Sequence, residues 1–136
     1  MEQNLICNVQ ECAAQLTTQA VVTVCRYVPP PVCWLHGNPL LKITNPFRSH
    51  AICLRCANNH GFAGQAPYNC PVCRQPLSAP EVCEQLLNPP EEWKSVALSG
   101  LSPTVVMECA GRALSFWSYQ MTNQMSVFLP SWPCRL

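Results

Sequence analysis

Apolar residues at Leu5, Ile6, Val9, Ala13 and Leu16 recur at intervals that fit one face of a short helix. The pattern changes at Gln19. Ala20-Val21-Val22-Thr23-Val24-Cys25 is dense in β-branched residues and predicts a strand. Pro29-Pro30-Pro31 stops it, because proline has no amide to extend a sheet. That run makes a stiff lead into the central segment and is also a weak polyproline docking motif. Leu40-Leu41-Lys42-Ile43, between the turn signals Asn38-Pro39 and Asn45-Pro46, predicts a second short strand. A helix is expected from near Ile52 through Ala57, with Ile52 and Leu54 packed inward. Asn58-Asn59-His60-Gly61 closes it, Gly61 supplying a left-handed cap. Gly61 to Asn69 then forms a loop carrying Phe62 and Tyr68.

Ser78-Ala79-Pro80-Glu81 has the form of a capping box with proline in the first turn. It predicts a short helix through Val82, Cys83, Leu86 and Leu87, closed by Asn88-Pro89-Pro90. Beyond that the β-branched and aromatic content predicts three strands, 104–109, 113–121 and 125–129, with turns at Gly111 and Thr122-Asn123. Both faces of the middle strand carry aromatic weight, so one face is expected to pack and the other, around Phe116, Trp117 and Tyr119, to meet a partner. The pattern divides the chain into an N-terminal helix, strand and proline lead (1–32), a central module (33–76), a short helix (77–90) and a β-rich, partner-binding C-terminal segment (91–136).

Composition changes this picture in one respect. Eleven cysteines in 136 residues approach the density of a disulfide scaffold. Met1-Glu2-Gln3-Asn4 has neither the basic start nor the apolar core of a secretory leader. The cysteines also come in pairs two residues apart, a spacing suited to metal rather than to disulfides. Both features predict a reducing intracellular compartment, cytoplasm or nucleus. No apolar stretch approaches the roughly twenty residues that span a bilayer, so no membrane association is expected. Charged residues make up 11%, net charge is +1, and the eight Lys and Arg are scattered singly. No nucleic-acid partner is expected, since a phosphate-backbone binder needs a clustered basic face.

The pairs are Cys33-x2-His36, His50-x2-Cys53-x2-Cys56 and Cys70-x2-Cys73. Thiolates and imidazoles so spaced reach one tetrahedral zinc from a tight turn. One pair is weak evidence; three in succession predict a zinc-folded module. Cys7 and Cys12, five apart, read instead as buried free thiols, and Cys7→Ser is expected to be tolerated. This segment resembles a RING finger, in which four ligand pairs bind two zincs in a cross-brace. The first and third pairs hold one metal, the second and fourth the other. The resemblance implies a small α+β zinc-binding domain, with Cys33, His36, Cys53 and Cys56 forming one complete site. His50, Cys70 and Cys73 form the second, whose remaining ligand falls at Arg48, a residue without a lone pair to give. Two Zn2+ are thus expected, the second with an incomplete ligand set. Asn45, Ser49, His60, Cys83, Cys25 or water remain open as the fourth ligand, and so do a second site that holds no metal and a non-RING zinc arrangement using Cys7, Cys12 or Cys25.

RING fingers typically act as ubiquitin ligases, gripping a ubiquitin-conjugating enzyme and orienting its thioester-linked ubiquitin towards a protein substrate. The resemblance implies that activity here. Leu35, two residues after the first assigned ligand, and Pro71, between the last pair, stand where the family contacts the conjugating enzyme. Arg74, directly after the final ligand, stands where active members carry a basic linchpin that bridges enzyme and ubiquitin. A non-catalytic adaptor, stiffened by zinc and binding or sequestering a partner protein, is the alternative. A cysteine nucleophile has no local motif in its support, although His60 with Cys83 or Cys109 supplies the residue types. Compactness and divergence also suggest the small RING proteins of viral genomes, which redirect host ubiquitin systems.

Overall fold

The structure, a computed structural model, describes residues 4–26 and 47–128. Leu35, with Cys33, His36 and the strand expected at 40–43, lies outside these residues. Strand β3 (Gln19–Arg26) is the organising element, as its Val/Thr pattern predicts. It sits in the middle of a three-stranded antiparallel sheet, between β4 (Phe47–Ile52) and β7 (Val82–Leu86). The register sets Thr23 opposite His50 and Cys25 opposite Arg48 on one side, and Thr23 opposite Val82 on the other. Because side chains alternate along a strand, Thr23, Cys25, Arg48 and His50 share one face. Two short hairpins flank this sheet: β1 (Leu5–Ile6) with β2 (Gln15–Leu16), and β5 (Tyr68–Asn69) with β6 (Pro76–Leu77).

Helix α1 (Leu54–Asn59) follows β4 directly. Gly61 ends it with φ +86°, and the Phe62 amide returns to the Ala57 carbonyl, the left-handed cap expected from sequence. Leu5, Leu16, Ala20, Val21, Ala51, Ile52 and Ala57 form the main core, with Phe62, Val82, Phe116 and Trp117 packed against it. A smaller cluster gathers Cys25, Cys70 and Leu77, with Phe62 and Tyr68 against it; these two rings stack at 5.2 Å.

Three elements differ from their sequence expectations. Residues 5–16 form a hairpin, not a helix. The Cys7 amide bonds the Ala14 carbonyl at 2.8 Å, and the Asn8 amide bonds Ala51 at 2.8 Å, so the apolar side chains pack from a loop docked on β4. The capping box at Ser78 is present, its amide and hydroxyl both 2.7 Å from Glu81 Oε2. It opens only a single 3-10 turn (Ala79–Glu81), after which β7 pairs with β3 from Val82 to Leu86. Ladder pairing there overrides the local helical signal.

After α2 (Glu91–Val96), the three predicted C-terminal strands are replaced over their described length by a single helix, α3, which runs from Pro103 to Phe128. Ser102 caps α3 by accepting from the Val105 amide, and proline occupies the first helical position, where its missing amide costs nothing. Phe116, Trp117, Gln120 and Gln124 are also spaced at helical intervals, and Phe116 and Trp117 pack against the core. That contact outweighs the β propensity of the individual residues. Among the described residues no helix is long and apolar enough to cross a membrane.

Candidate metal centres

Two groups of four ligand atoms lie within 4.8 Å of one another: Cys7, Cys12, Cys53 and Cys56, and Cys25, His50, Cys70 and Cys73. The first is brought together by two tight turns. Cys7 and Cys12 sit on the β1–β2 loop, where Ala13 adopts φ 45°. Cys53 caps the start of α1, and Cys56 lies one turn on; the Cys56 amide donates to the Cys53 sulfur at 3.4 Å. The Cys53 amide likewise donates to Cys7 Sγ at 3.4 Å. Asn8 locks the two turns together, since its Oδ1 accepts from the Ala51 amide at 2.8 Å.

Sheet and hairpin build the second group. Cys25 of β3 and His50 of β4 project from the shared face, and Cys70 and Cys73 come from the β5–β6 turn. This turn repeats the first: the leading cysteine amide bonds the carbonyl two residues past the second cysteine (Cys70 to Gln75, 2.9 Å), and the residue after that cysteine is left-handed (Arg74, φ 62°). His50 Nδ1 lies 3.5 Å from Cys25 Sγ and 3.4 Å from Cys70 Sγ. Thr23 Oγ1 stands 3.4 Å from Cys25 Sγ and 3.8 Å from Cys70 Sγ.

These separations fit zinc. With Zn–S near 2.3 Å and Zn–N near 2.05 Å, a tetrahedron has sulfur–sulfur edges of about 3.8 Å and sulfur–nitrogen edges of about 3.5 Å. The Cys12–Cys53 sulfurs are 3.7 Å apart. One group offers four thiolates and the other three thiolates with an imidazole, both common structural zinc sets. All described cysteines are free thiols.

The thiols differ in acidity. The Ala14 amide, ahead of the Arg55 guanidinium and neighbouring thiols, lowers Cys12 to about 6. The Cys25 thiol donates to Cys70 and, helped by His50, holds it at about 3. Cys25 is pushed up correspondingly, by that same bond and then by burial. Burial pushes up Cys7, Cys56 and Cys73. Each group thus holds thiolate character already, and a bound cation would displace the remaining protons.

Five predicted ligands, His50, Cys53, Cys56, Cys70 and Cys73, fall within these groups. The grouping differs from expectation. Cys7 and Cys12 complete the set with Cys53 and Cys56, so they are not bystander thiols. Cys25, one of the open substitutes, completes the set of His50, Cys70 and Cys73, so this set is not one ligand short. Cys33 and His36, expected in the first set, lie outside the described residues. Arg48 faces the second group from its register position opposite Cys25 without serving as a ligand. Sequence reasoning set Cys7-x4-Cys12 aside as free thiols because its interval exceeds the usual two. It left Cys25 as one of several open partners of His50 because these residues meet only across strands. The available signal was the β-strand reading of 20–25, which set Cys25 and Thr23 on one face.

Along the chain the pairs run Cys7/Cys12, Cys25/His50, Cys53/Cys56 and Cys70/Cys73, with first and third forming one site and second and fourth the other. That interleaving defines a small α+β domain with a RING-like cross-brace and two sites positioned to bind zinc. The chain is similar to proteins named E3 ubiquitin-protein ligase CCNB1IP1 from Mus musculus and Homo sapiens, 31% identical in each case over 124 residues, 90% of this chain. It spans 36% of the length of these relatives. A shorter match, 38% identical over 56 residues, or 41% of this chain and 18% of the relative, is to the E3 ubiquitin-protein ligase CCNB1IP1 homolog of Arabidopsis thaliana. These three relatives are mammalian and plant proteins; none lends support to a viral origin. No protein-family profile matches the chain, and no solved structure matches it.

Proposed function

We propose that this domain acts as a RING-type ubiquitin ligase module, binding a ubiquitin-conjugating enzyme and promoting ubiquitin transfer to a protein substrate inside the cell. The interleaving of the two ligand groups is the observation that carries this reading, and the naming of the relatives as ubiquitin ligases supports it. With Cys7 as the first ligand, the aliphatic position two residues later is Val9, half-buried on its turn; Leu35, expected in that place, lies outside the described residues. Pro71, also half-buried, sits between Cys70 and Cys73 on the other turn. Together they form the proposed enzyme-gripping pair.

Arg74 is exposed and follows the last ligand in left-handed backbone, a conformation that costs a side chain roughly 1–2 kcal/mol relative to its ordinary regions. The turn demands this geometry, as Ala13 shows in the other turn. Glycine would meet the demand without strain; an arginine there puts a guanidinium-bearing side chain directly after the last ligand. Its five donors suit it to bridge carbonyls on two partners.

The test is ubiquitin discharge from a loaded conjugating enzyme, across a panel of such enzymes. Arg74→Ala should slow discharge about tenfold or more, the loss of charge-assisted hydrogen bonds of about 1.5–3 kcal/mol. Binding of the unloaded enzyme should hold. Val9→Ala should weaken that binding itself. No discharge with any enzyme in the panel would sink the reading. One observation favours the adaptor instead: Trp93, Val96, Leu98, Leu101, Met107 and Leu114, none of them a ligand, are all exposed on or beside α2 and α3.

A further inference from the structure

The geometry points to Tyr119 as a positioning residue of the second zinc site, which makes helix α3 a part of that site. His50 turns Nδ1 towards the Cys25 and Cys70 sulfurs. Its other nitrogen, Nε2, is 3.2 Å from the Tyr119 hydroxyl, and the two rings meet edge-on at 5.9 Å. An imidazole that ligates through Nδ1 must carry its proton on Nε2, so Nε2–H donates and the phenol oxygen accepts. Such an outer hydrogen bond fixes the tautomer and the plane of a ligating histidine.

The phenol is held in turn. Asn123, one turn further along α3, hydrogen-bonds it. Gln120, next to it in sequence and fully buried, donates Nε2–H to the Ser49 carbonyl at 2.7 Å, which pins α3 beside the residue preceding His50. Two adjacent helix residues therefore grip two adjacent strand residues, and only one grip reaches the ligand. The first group depends on no such contact from α3: its four ligands are cysteines, with no ring to be oriented, and a side-chain donor against it is Arg55, to Cys12 Sγ at 3.6 Å.

The consequence is specific. Removing one oxygen atom from α3 should loosen metal at the trithiolate–imidazole site and leave the tetrathiolate site alone. This holds whether or not the protein transfers ubiquitin.

Cobalt(II) serves as the probe on the full chain, because tetrathiolate and trithiolate–imidazole cobalt absorb at different d–d wavelengths. In Tyr119→Phe, which keeps the ring, chelator competition should show cobalt held at the mixed site about 10–100-fold more weakly, the usual range for losing such a partner, and lost from it faster. The tetrathiolate bands should decay as in the unaltered protein. Unchanged decay of the mixed-site bands, or equal acceleration of both sets, would overturn the assignment. A second measurement needs no variant. In the unaltered zinc-loaded protein, the His50 Nε2 proton should give a slowly exchanging NMR signal with a cross-peak to the Tyr119 ring. A ring whose Nδ1 carries the proton would refute the proposal equally.

Discussion

At the residue scale, the eight ligands are not equivalent to the other thiols in the chain. Cys7 is buried in the first group, whereas Cys83 is exposed on the edge strand and ligates nothing within the described set. Cys7→Ser should abolish metal at the first site and destabilise the domain by about 4 kcal/mol or more, as expected of a lost metal ligand. Cys83→Ser should melt as the unaltered protein does. Arg48→Cys provides the converse test. Since Cys25 already fills the fourth position, the change should not add metal, and elemental analysis of chelator-free protein checks it. Acidity gives a third expectation. Cys25 and Cys73 are raised and so protonated at neutral pH, while Cys70 at about 3 is not. Zinc entering the second group must displace at least those two protons. Its affinity should therefore rise with pH through the neutral range, and its calorimetric heat should vary with the ionisation enthalpy of the buffer.

At the element scale, α3 has two unlike halves. Around Phe116 to Gln124 it rests on the zinc domain, with Gln120 fully buried and Gln124 Nε2 donating to the Asn4 carbonyl at 3.3 Å. From Pro103 to Leu114 it is largely exposed, including Met107 at 71% and Leu114 at 68%. Isolated helical turns are marginal in water, so the first half draws its order from the second. Hydrogen exchange should show amides near 107–112 exchanging much faster than those near 117–122. Gln120→Ala should erase much of that difference and cost about 1–3 kcal/mol, since it leaves the Ser49 carbonyl without its buried donor. Asn8 has a comparable role at the other end. Its side chain and amide tie the first turn to Ala51, which places Cys7 beside the Cys53 amide.

On the scale of the whole molecule, the apolar core is small and two of its margins are the ligand groups themselves: Cys7 and Cys56 belong to one apolar cluster, Cys25 and Cys70 to the other. A domain so built is expected to draw much of its folding free energy from metal. Elemental analysis should find two zincs per chain, and strong chelation should unfold the β3–β4–β7 sheet along with both turns. Full retention of sheet after complete metal removal would contradict this dependence.

The sequence by itself determined what depends on neighbours a few residues apart. The two-residue intervals of Cys53/Cys56 and Cys70/Cys73, the strand through Val21 to Cys25, the helix after Ile52 and its glycine cap are all local, because a turn or a periodic face is set by the backbone within one or two turns. Tertiary structure alone decided the rest. Cys25 becomes the partner of His50 only through the β3–β4 register, 25 residues away in sequence. Cys7 and Cys12 become ligands only when Asn8 docks their loop on β4. The capping box at Ser78 yields to a strand because β3 offers a ladder, and the aromatic C-terminal run becomes a helix because its 3.6-residue face meets β4 and the core. Propensities worth tenths of a kcal/mol per residue give way to hydrogen-bond ladders and buried contacts worth several.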